Sequence, residues 1–323
     1  MGSASASSPA IPLTVVGGFL GAGKTSLLNG ILEQTEQRRI AVLVNDFGTV
    51  CVDASLVSAR SARTISLANG CICCTLVDGL ARALLDVLQL DPAPEHLLIE
   101  ASGVSDPRRI AQVARADPAF ADEGTLVLVA ADQIRSLACD RYVGDTVLRQ
   151  LAAADLIVLN KLDLVTDAQA QSVDAWLHEQ APQATIIATM NARLSSDIVL
   201  GPIARGDRRD DGSRYHYRAA SPRQDARATF STQTLRCSRP LSESRLREAL
   251  DALPAMVLRA KGFVRLDTSP TDWNVIQVVG RRWTIVPAPA MVSGGECVLV
   301  LIGAGGGAAL DETNAIVRLF AQA

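Results

Sequence analysis

Eight residues, Gly18-Phe19-Leu20-Gly21-Ala22-Gly23-Lys24-Thr25, constrain this chain more than any other stretch. They fit the pattern G-x-x-x-x-G-K-[ST] and stand between an apolar run, Pro12 to Val16, and a helical pattern, Lys24 to Glu33. A strand that turns through glycines into a helix aims successive backbone N–H groups at one spot, and the helix N-terminus adds its positive dipole. Such a spot takes phosphate. Lys24 is expected to reach the β- and γ-phosphates, and the Thr25 hydroxyl to ligate Mg2+. The expected phosphate-contact set is Gly18, Gly21, Ala22, Gly23, Lys24, Thr25 and Ser26. The plain alternative is an ordinary glycine-rich strand–helix turn; Lys-Thr at its end, in strand–helix context, argues against that.

The following residues keep the same rhythm. Ile40 to Val44, Leu97 to Ile99, Thr125 to Ala130, Leu156 to Leu159 and Thr185 to Ala188 are short apolar runs. Helical patterns lie between them: Leu76 to Leu88, Pro107 to Ala114, Arg141 to Ala152 and Ala168 to Gln180. Continuous rather than alternating apolar runs mean strands covered on both faces. The expectation is an α/β fold, a doubly wound, mainly parallel sheet of the P-loop NTPase kind.

Gly201 to Arg227 is rich in charge, Gly, Ser and Pro and reads as an exposed linker. Strand patterns follow at Thr229 to Leu235, Gly262 to Leu266, Trp273 to Val279 and Cys297 to Ile302. Helical patterns occupy Glu243 to Ala252, with Ser242 as a plausible N-cap, and Asp311 to Ala321. The expected organisation is a disordered leader (1–10), a P-loop domain (11–200), a linker (201–227) and a smaller C-terminal α+β domain (228–323). A length of 323 residues agrees with two cores, since single cores rarely exceed ~250–300 residues.

Base choice is assigned to Asn160-Lys161-Leu162-Asp163, placed where a late strand of the sheet ends. A carboxylate there accepts from guanine N1–H and the N2 amino group, and adenine offers no matching donors. Asp163 takes that role, Asn160 supports O6 and N7, and the Lys161 stem covers the base. Between the two motifs, Leu97 to Gly103 is an apolar strand ending in a carboxylate and then a glycine. Glu100 is a candidate to hold Mg2+ through water or to orient the attacking water, and the Gly103 N–H to sense the γ-phosphate. Asp46, after the second strand, is a candidate carboxylate in a mobile switch, with an Asx-type turn as the bland alternative. Lys24, Asp46 and Glu100 form the candidate catalytic set.

Three cysteines crowd into Gly70-Cys71-Ile72-Cys73-Cys74. Thiolates are soft ligands for Zn2+, Co2+ or Cu+. Cys74 stands at the start of the helical pattern, where a helix N-terminus favours thiolate. Three sulfurs leave a tetrahedral site one ligand short, which suits a cation that is to be handed on. Packing of three small apolar residues and a redox sensor are the competing readings. Cys71, Cys73 and Cys74 are the candidate metal ligands. Cys51 reads as a packing residue, with a fourth sulfur ligand as the alternative. Cys139, Cys237 and Cys297 read as structural, and His96, His178 and His216 as isolated.

The formal net charge of −3 argues against a general nucleic-acid or anionic-membrane surface. The start, MGSASASSPA, lacks the basic and apolar regions of a secretory signal, and no run reaches the ~18–20 apolar residues of a membrane span. A cytoplasmic location is the expectation.

Taken together, GFLGAGKTSLLN, VNDFG, GCICC, LLIEASGVSDP and NKLD in this order resemble the CobW family of metal-handling P-loop GTPases. Val257-Leu258-Arg259-Ala260-Lys261-Gly262 resembles that family's C-terminal domain signature, so the likeness covers nearly the whole chain after the leader. The resemblance implies slow GTP hydrolysis to GDP, Zn2+ or Co2+ at the cysteine motif, and delivery to a client metalloprotein or metal-cofactor pathway enzyme. A homo-oligomer stays open. Two departures stand out. The family's switch usually reads Asn-Glu-Phe-Gly-Glu, whereas this chain has Asp46 and Thr49; and the stretch from Gly201 to Arg227 holds a single histidine, His216, where many members are His-rich. The competing readings are a regulatory GTPase with redox-sensing cysteines and no metal delivery, and a P-loop kinase or ATPase, which NKLD opposes.

Overall fold

The computed structural model describes residues 10–35, 38–44, 63–66, 76–202, 230–288, 296–304 and 315–323. Asp46, Cys51, Cys71, Cys73, Cys74, His216 and most of the expected linker lie outside these residues.

Two sheets organise the chain. The first has seven parallel strands: β1 (Ile11–Gly18), β2 (Ile40–Val44), β3 (Arg63–Ser66), β4 (His96–Glu100), β5 (Phe120–Ala130), β6 (Leu156–Asn160) and β7 (Thr185–Ala188), in the order β3-β2-β4-β1-β5-β6-β7. The helices between them are α1 (Lys24–Gln34), α2 (Leu76–Leu88), α3 (Pro107–Arg115), α4 (Ile134–Ala138), α5 (Gly144–Ala153), α6 (Asp167–Gln180) and α7 (Ser196–Leu200). β2, β4 and β6 are buried at every position, as strands covered on both faces must be. Because every pair is parallel, all the strands end at one edge. Register lines up Ser66, Val44, Glu100 and Val16 across four strands, and Ala130 with Asn160 on the other side.

The second sheet is antiparallel: β8 (Phe230–Cys237), β9 (Val257–Leu266), β10 (Ser269–Val279), β11 (Arg282–Pro287) and β12 (Cys297–Ala304), in the order β11-β10-β9-β12-β8. Helices α8 (Glu243–Asp251) and α9 (Ala315–Gln322) share its core through Leu246, Leu250, Ile316, Leu319 and Phe320. Along β9 buried and half-buried residues alternate after Ala260, the mark of a sheet with one covered face.

The sheets meet along a seam rich in charge. A bulge in β9 leaves Leu258 without a register partner between Arg259–Ile302 and Val257–Gly303. Leu258 thereby joins Val16, Leu27, Ile198 and Val199 in the core of the parallel sheet, while Val257 and Ala260 pack on the α8–α9 side. Arg259 is fully buried; its Nε donates to the Ile198 carbonyl (2.7 Å), Nη2 to Val199 (3.1 Å) and Nη1 to Glu123. Lys261 pairs with the Glu123 carboxylate, which also accepts from Gln277 at 3.0 Å. Arg282 bridges Asp122 (2.8 Å) and Asp155 (2.9 Å). Burial lowers the Arg259 pKa to about 10, against the opposing pull of Glu123 and Asp155. The residues from Val257 to Gly262 that resemble a family signature are thus the ones that fasten the second sheet to the first.

Several sequence expectations need correction. β5 begins at Phe120, not Thr125: its start is charged, and the charges of Asp122 and Glu123 are absorbed by the seam. β9 begins at Val257, not Gly262, for the same reason. The helix expected from Arg141 starts at Gly144, because the Asp140 carboxylate accepts from the backbone N–H groups of Tyr142 (2.8 Å) and Val143 (3.1 Å) and holds a turn there. Ser242 occupies the N-cap of α8 without capping it. The Glu243 N–H donates instead to Asp267, at 3.0 Å. Cys139 is exposed at the end of α4 and is not a packing residue.

Candidate nucleotide-binding site

β1 leaves the sheet at Gly18 and returns as α1 at Lys24. Three glycines of this turn have positive φ: Gly18 (130°), Gly21 (75°) and Gly23 (107°). Those angles strain any L-residue with a side chain. Space decides two of them independently. A Cβ on Gly18 would lie 2.2 Å from the Leu128 carbonyl oxygen, and one on Gly23 would lie 2.6 Å from Asn160 Nδ2. The Lys24 ammonium folds back over the loop and donates to the carbonyls of Gly18 (2.9 Å) and Phe19 (3.4 Å). α1 begins without a side-chain cap and without an acidic residue in its first turn. Its first N–H groups and its positive end are therefore unopposed by side chains of its own first turn.

β4 sits beside β1 and ends in Glu100, which is buried. The Thr25 hydroxyl donates to Glu100 Oε1 at 3.3 Å. The next turn, Ala101 to Ser105, hangs over the loop: a Cβ on Gly103 would lie 2.9 Å from the Leu20 backbone nitrogen. Buried Gln150, on α5, holds this turn by donating to the carbonyls of Gly103 (3.1 Å) and Ser105 (2.9 Å). Asp106 then caps α3 at the Arg108 N–H, with Pro107 in the first turn.

On the far side, β6 ends in Asn160, which is buried with both ends of its amide engaged. Nδ2 donates to the Ala22 carbonyl at 2.9 Å, and Oδ1 accepts from the Ala192 N–H at 2.8 Å. Asn160 therefore ties the glycine loop to the loop after β7. Lys161 follows in the left-handed region (φ 62°), which turns the chain into a 3-10 turn, Leu162–Leu164, and leaves Asp163 exposed. The loop after β7 carries two more left-handed residues, Asn191 and Ala192, and is braced by Thr189 Oγ1 on the Arg193 carbonyl at 2.8 Å.

The structure thus gathers Gly18 to Ser26, Glu100, Gly103, Asn160, Lys161 and Asp163 at the carboxyl edge of the parallel sheet, around the strand where chain order reverses. Sequence reasoning missed Gln150 and the Thr189–Arg193 loop. The loop was detectable as the segment leaving the carboxyl end of a strand; Gln150 looked like any polar residue of an amphipathic helix.

A glycine cradle backed by a buried lysine, a hydroxyl beside a buried carboxylate, and a base-side loop stapled to that cradle define a P-loop nucleotide-binding protein. The chain belongs to the CobW/HypB/UreG family of P-loop GTPases: the family's nucleotide-binding domain matches residues 12–188, and the cobalamin synthesis protein CobW C-terminal domain matches residues 230–322. A relative named zinc chaperone CobW, from Pseudomonas aeruginosa, is 29% identical over 308 residues, covering 84% of this chain and 81% of that protein. Another zinc chaperone CobW, from a Sinorhizobium species, is 30% identical over 230 residues, 62% of this chain and 65% of that protein. The zinc chaperone YjiA of Escherichia coli is 34% identical over 201 residues, 59% of this chain and 60% of that protein. The crystal structure of Zn(II)-bound YjiA GTPase from E. coli covers 98% of this chain and 99% of its own, at 21% identity and a TM-score of 0.42.

Proposed function

We propose that this protein is a GTP-hydrolysing metallochaperone that takes Zn2+ or a similar divalent cation on Cys71, Cys73 and Cys74 and passes it to a client protein, in step with its nucleotide. Its relatives' names speak for zinc handling. The observation that carries the coupling is a register row. Ser66, the last residue of β3, pairs with Val44, which pairs with Glu100. Two interstrand steps of ~4.8 Å put Ser66 about 10 Å from Glu100 along the sheet. The cysteine motif follows Ser66 in the chain and precedes α2. The five residues from Ser66 to Cys71 span at most ~18 Å. That length of chain lets the motif reach the edge where the terminal phosphate is to bind.

The geometry supports the following division of labour. The N–H groups of Gly21 to Ser26 and the Lys24 ammonium take the β- and γ-phosphates. Lys24 would swing from the Gly18 and Phe19 carbonyls to do so. The Thr25 hydroxyl and the buried Glu100 carboxylate are hard oxygen donors side by side, a set that fits Mg2+. Thr25 would hold the ion directly and Glu100 at one remove, and the ion would supply neutralisation of the phosphate charge. The Gly103 N–H lies in the turn packed on Leu20 and is the sensor of the γ-phosphate. Asp163 selects guanine, while Asn160 holds the two loops that frame the base. Asp46, as part of the switch, completes the candidate catalytic set. We further propose the division into a P-loop domain (11–200) and a C-terminal domain (228–323), the second held rigidly by the charged seam.

Zn2+ titration of the GDP form and of the form loaded with a non-hydrolysable GTP analogue tests this reading. Affinity is expected to differ between the two. Cys71→Ser, Cys73→Ser and Cys74→Ser are each expected to weaken it by at least ~10-fold. Equal affinities in the two nucleotide states would remove the coupling, and undiminished binding in all three variants would remove the site.

A further inference from the structure

The second sheet holds a thiol pair that metal handling does not use. Cys237, at the end of β8, and Cys297, at the start of β12, are direct register partners on adjacent antiparallel strands. Residues directly opposite in such a pair stand ~4.5–5.5 Å apart at Cα, inside the ~4.4–6.8 Å window that a disulfide needs. The side chains converge. Cys237 Sγ lies 3.5 Å and Cys297 Sγ 3.6 Å from one and the same atom, the Arg239 carbonyl oxygen. Cys297 Sγ also accepts from the Arg265 backbone N–H at 3.3 Å. Both residues are buried, in the core that also holds Leu235, Leu241 and Ile316.

The pair is electrostatically polarised. A hydrogen bond from Cys237 lowers the Cys297 thiol to about 6, helped by the Arg265 N–H and its positive side chain. The same coupling, with burial, pushes Cys237 upward. Of the two thiols, Cys297 is thus the one that loses its proton more readily. Among the described residues no third His, Cys, Asp or Glu joins them to make a metal cluster. Two sulfurs without further donors do not make a zinc site. They do make the two halves of a dithiol couple.

We propose that Cys237 and Cys297 form a reversible cross-strand disulfide, a second thiol centre separate from the Cys71-Ile72-Cys73-Cys74 motif. The oxidant is a small-molecule disulfide. Cys297 thiolate attacks one of its sulfurs, forming a mixed disulfide and expelling one small thiolate. Cys237, giving up its proton to that leaving group, then attacks the Cys297 sulfur and expels the second thiolate. Two protein thiols become one S–S bond, and the small disulfide becomes two thiols. β8 is the edge strand and pairs within the sheet only with β12, so its local opening gives the reagent access to both sulfurs. The bond then pins the first strand after the inter-sheet segment to its neighbour.

The test treats the full-length protein with glutathione disulfide, alkylates the remaining thiols, and sequences the proteolytic peptides by mass spectrometry. A linked peptide pair joining Cys237 to Cys297 is expected, and it should disappear at excess reduced glutathione. In Cys237→Ser, Cys297 is expected to be trapped as the glutathione mixed disulfide. Because that variant can be destabilised, the wild-type result decides. Both thiols recovered fully alkylated after prolonged treatment, or each carrying its own glutathione, would overturn the proposal. So would protection from alkylation that requires added Cu+ while both sulfurs stay reduced.

Discussion

The carboxyl edge of the parallel sheet and the seam beneath it are built from the same strands in opposite ways. At the edge, contacts are long or made by groups that have another use. Thr25 meets Glu100 at 3.3 Å, Lys24 rests on loop carbonyls, and Asp163 is exposed. At the seam, three cations (Arg259, Lys261, Arg282) face three carboxylates (Asp122, Glu123, Asp155), and Arg259 is fully buried. The edge keeps its donors convertible to a ligand; the seam spends its charges on holding two sheets together. A single strand such as β5 serves both, with Glu123 near its start in the seam and Leu128 packed under Gly18 near its end. The difference teaches that charge in this chain marks function at strand ends and architecture at strand beginnings.

If that division is right, a change at the seam should move stability and leave base preference alone. Arg259→Met removes the donor to three buried carbonyls and strips Glu123 of a compensating neighbour. Breaking a buried charge contact of this kind costs about 3–5 kcal/mol, readable as a lower urea midpoint. The GTP-over-ATP preference of the folded fraction is expected to stay unchanged. Lys261→Met should cost less, because the Lys261 side chain is partly exposed. An Arg259→Met protein of wild-type stability would break the comparison outright.

The converse change is Asp163→Asn. It leaves the fold's stability within about 0.5 kcal/mol, since the side chain is exposed and the 3-10 turn does not depend on it. On the proposed role of Asp163 it removes a charge-assisted acceptor for the base, worth about 1.5–3 kcal/mol, so the GTP-over-ATP binding ratio is expected to drop by roughly ten- to hundred-fold. Competition binding with the two nucleotides measures it. An unchanged ratio would move base recognition away from Asp163.

The two regions also differ in how far they were readable from the sequence. The edge was legible because its chemistry is local. Gly18 to Thr25 fixes a loop and a helix start within eight residues, and NKLD closes one strand. The seam was not. Arg259 and Glu123 are far apart in the chain, so nothing near either residue announces the other, and a charged start made β5 and β9 look too short. Asn160 shows the same limit at the edge itself. Its motif was read as a base contact, while its grip on Ala22 and Ala192 follows only from the fold. β3 escaped notice because four residues starting with arginine carry little apolar pattern, and β11 because, as an edge strand, most of its residues stay partly or fully exposed. Cys237 and Cys297 were read as separate packing residues; sheet register, not spacing, makes them a pair.

His96 opens β4 at its amino end, beside the seam, and it gives the smallest and most pointed test. Its Nε2 meets the Thr14 hydroxyl of β1 at 2.9 Å, and that hydroxyl donates in turn to the Val199 carbonyl, which also accepts from Arg259. Burial first, and then the charges of Lys261, Arg259 and Arg38, hold the His96 pKa well below 6.5. The folded protein therefore keeps the imidazole neutral at pH values where the unfolded chain protonates it. The unfolded state binds more protons below pH 6.5, so stability falls as pH drops from there. The slope from this one group approaches ~1.4 kcal/mol per pH unit until the folded pKa is reached. His96→Gln keeps a hydrogen-bonding partner for Thr14 and removes the titration. Above pH 7 it should change stability by no more than about 1 kcal/mol, and between pH 6.5 and ~5 it should flatten the wild-type slope by most of that amount. Urea midpoints of the two proteins across this range measure the difference. Parallel pH profiles would mean that the proton is taken up elsewhere, and that the cations of the seam do not set the protonation of the sheet they hold.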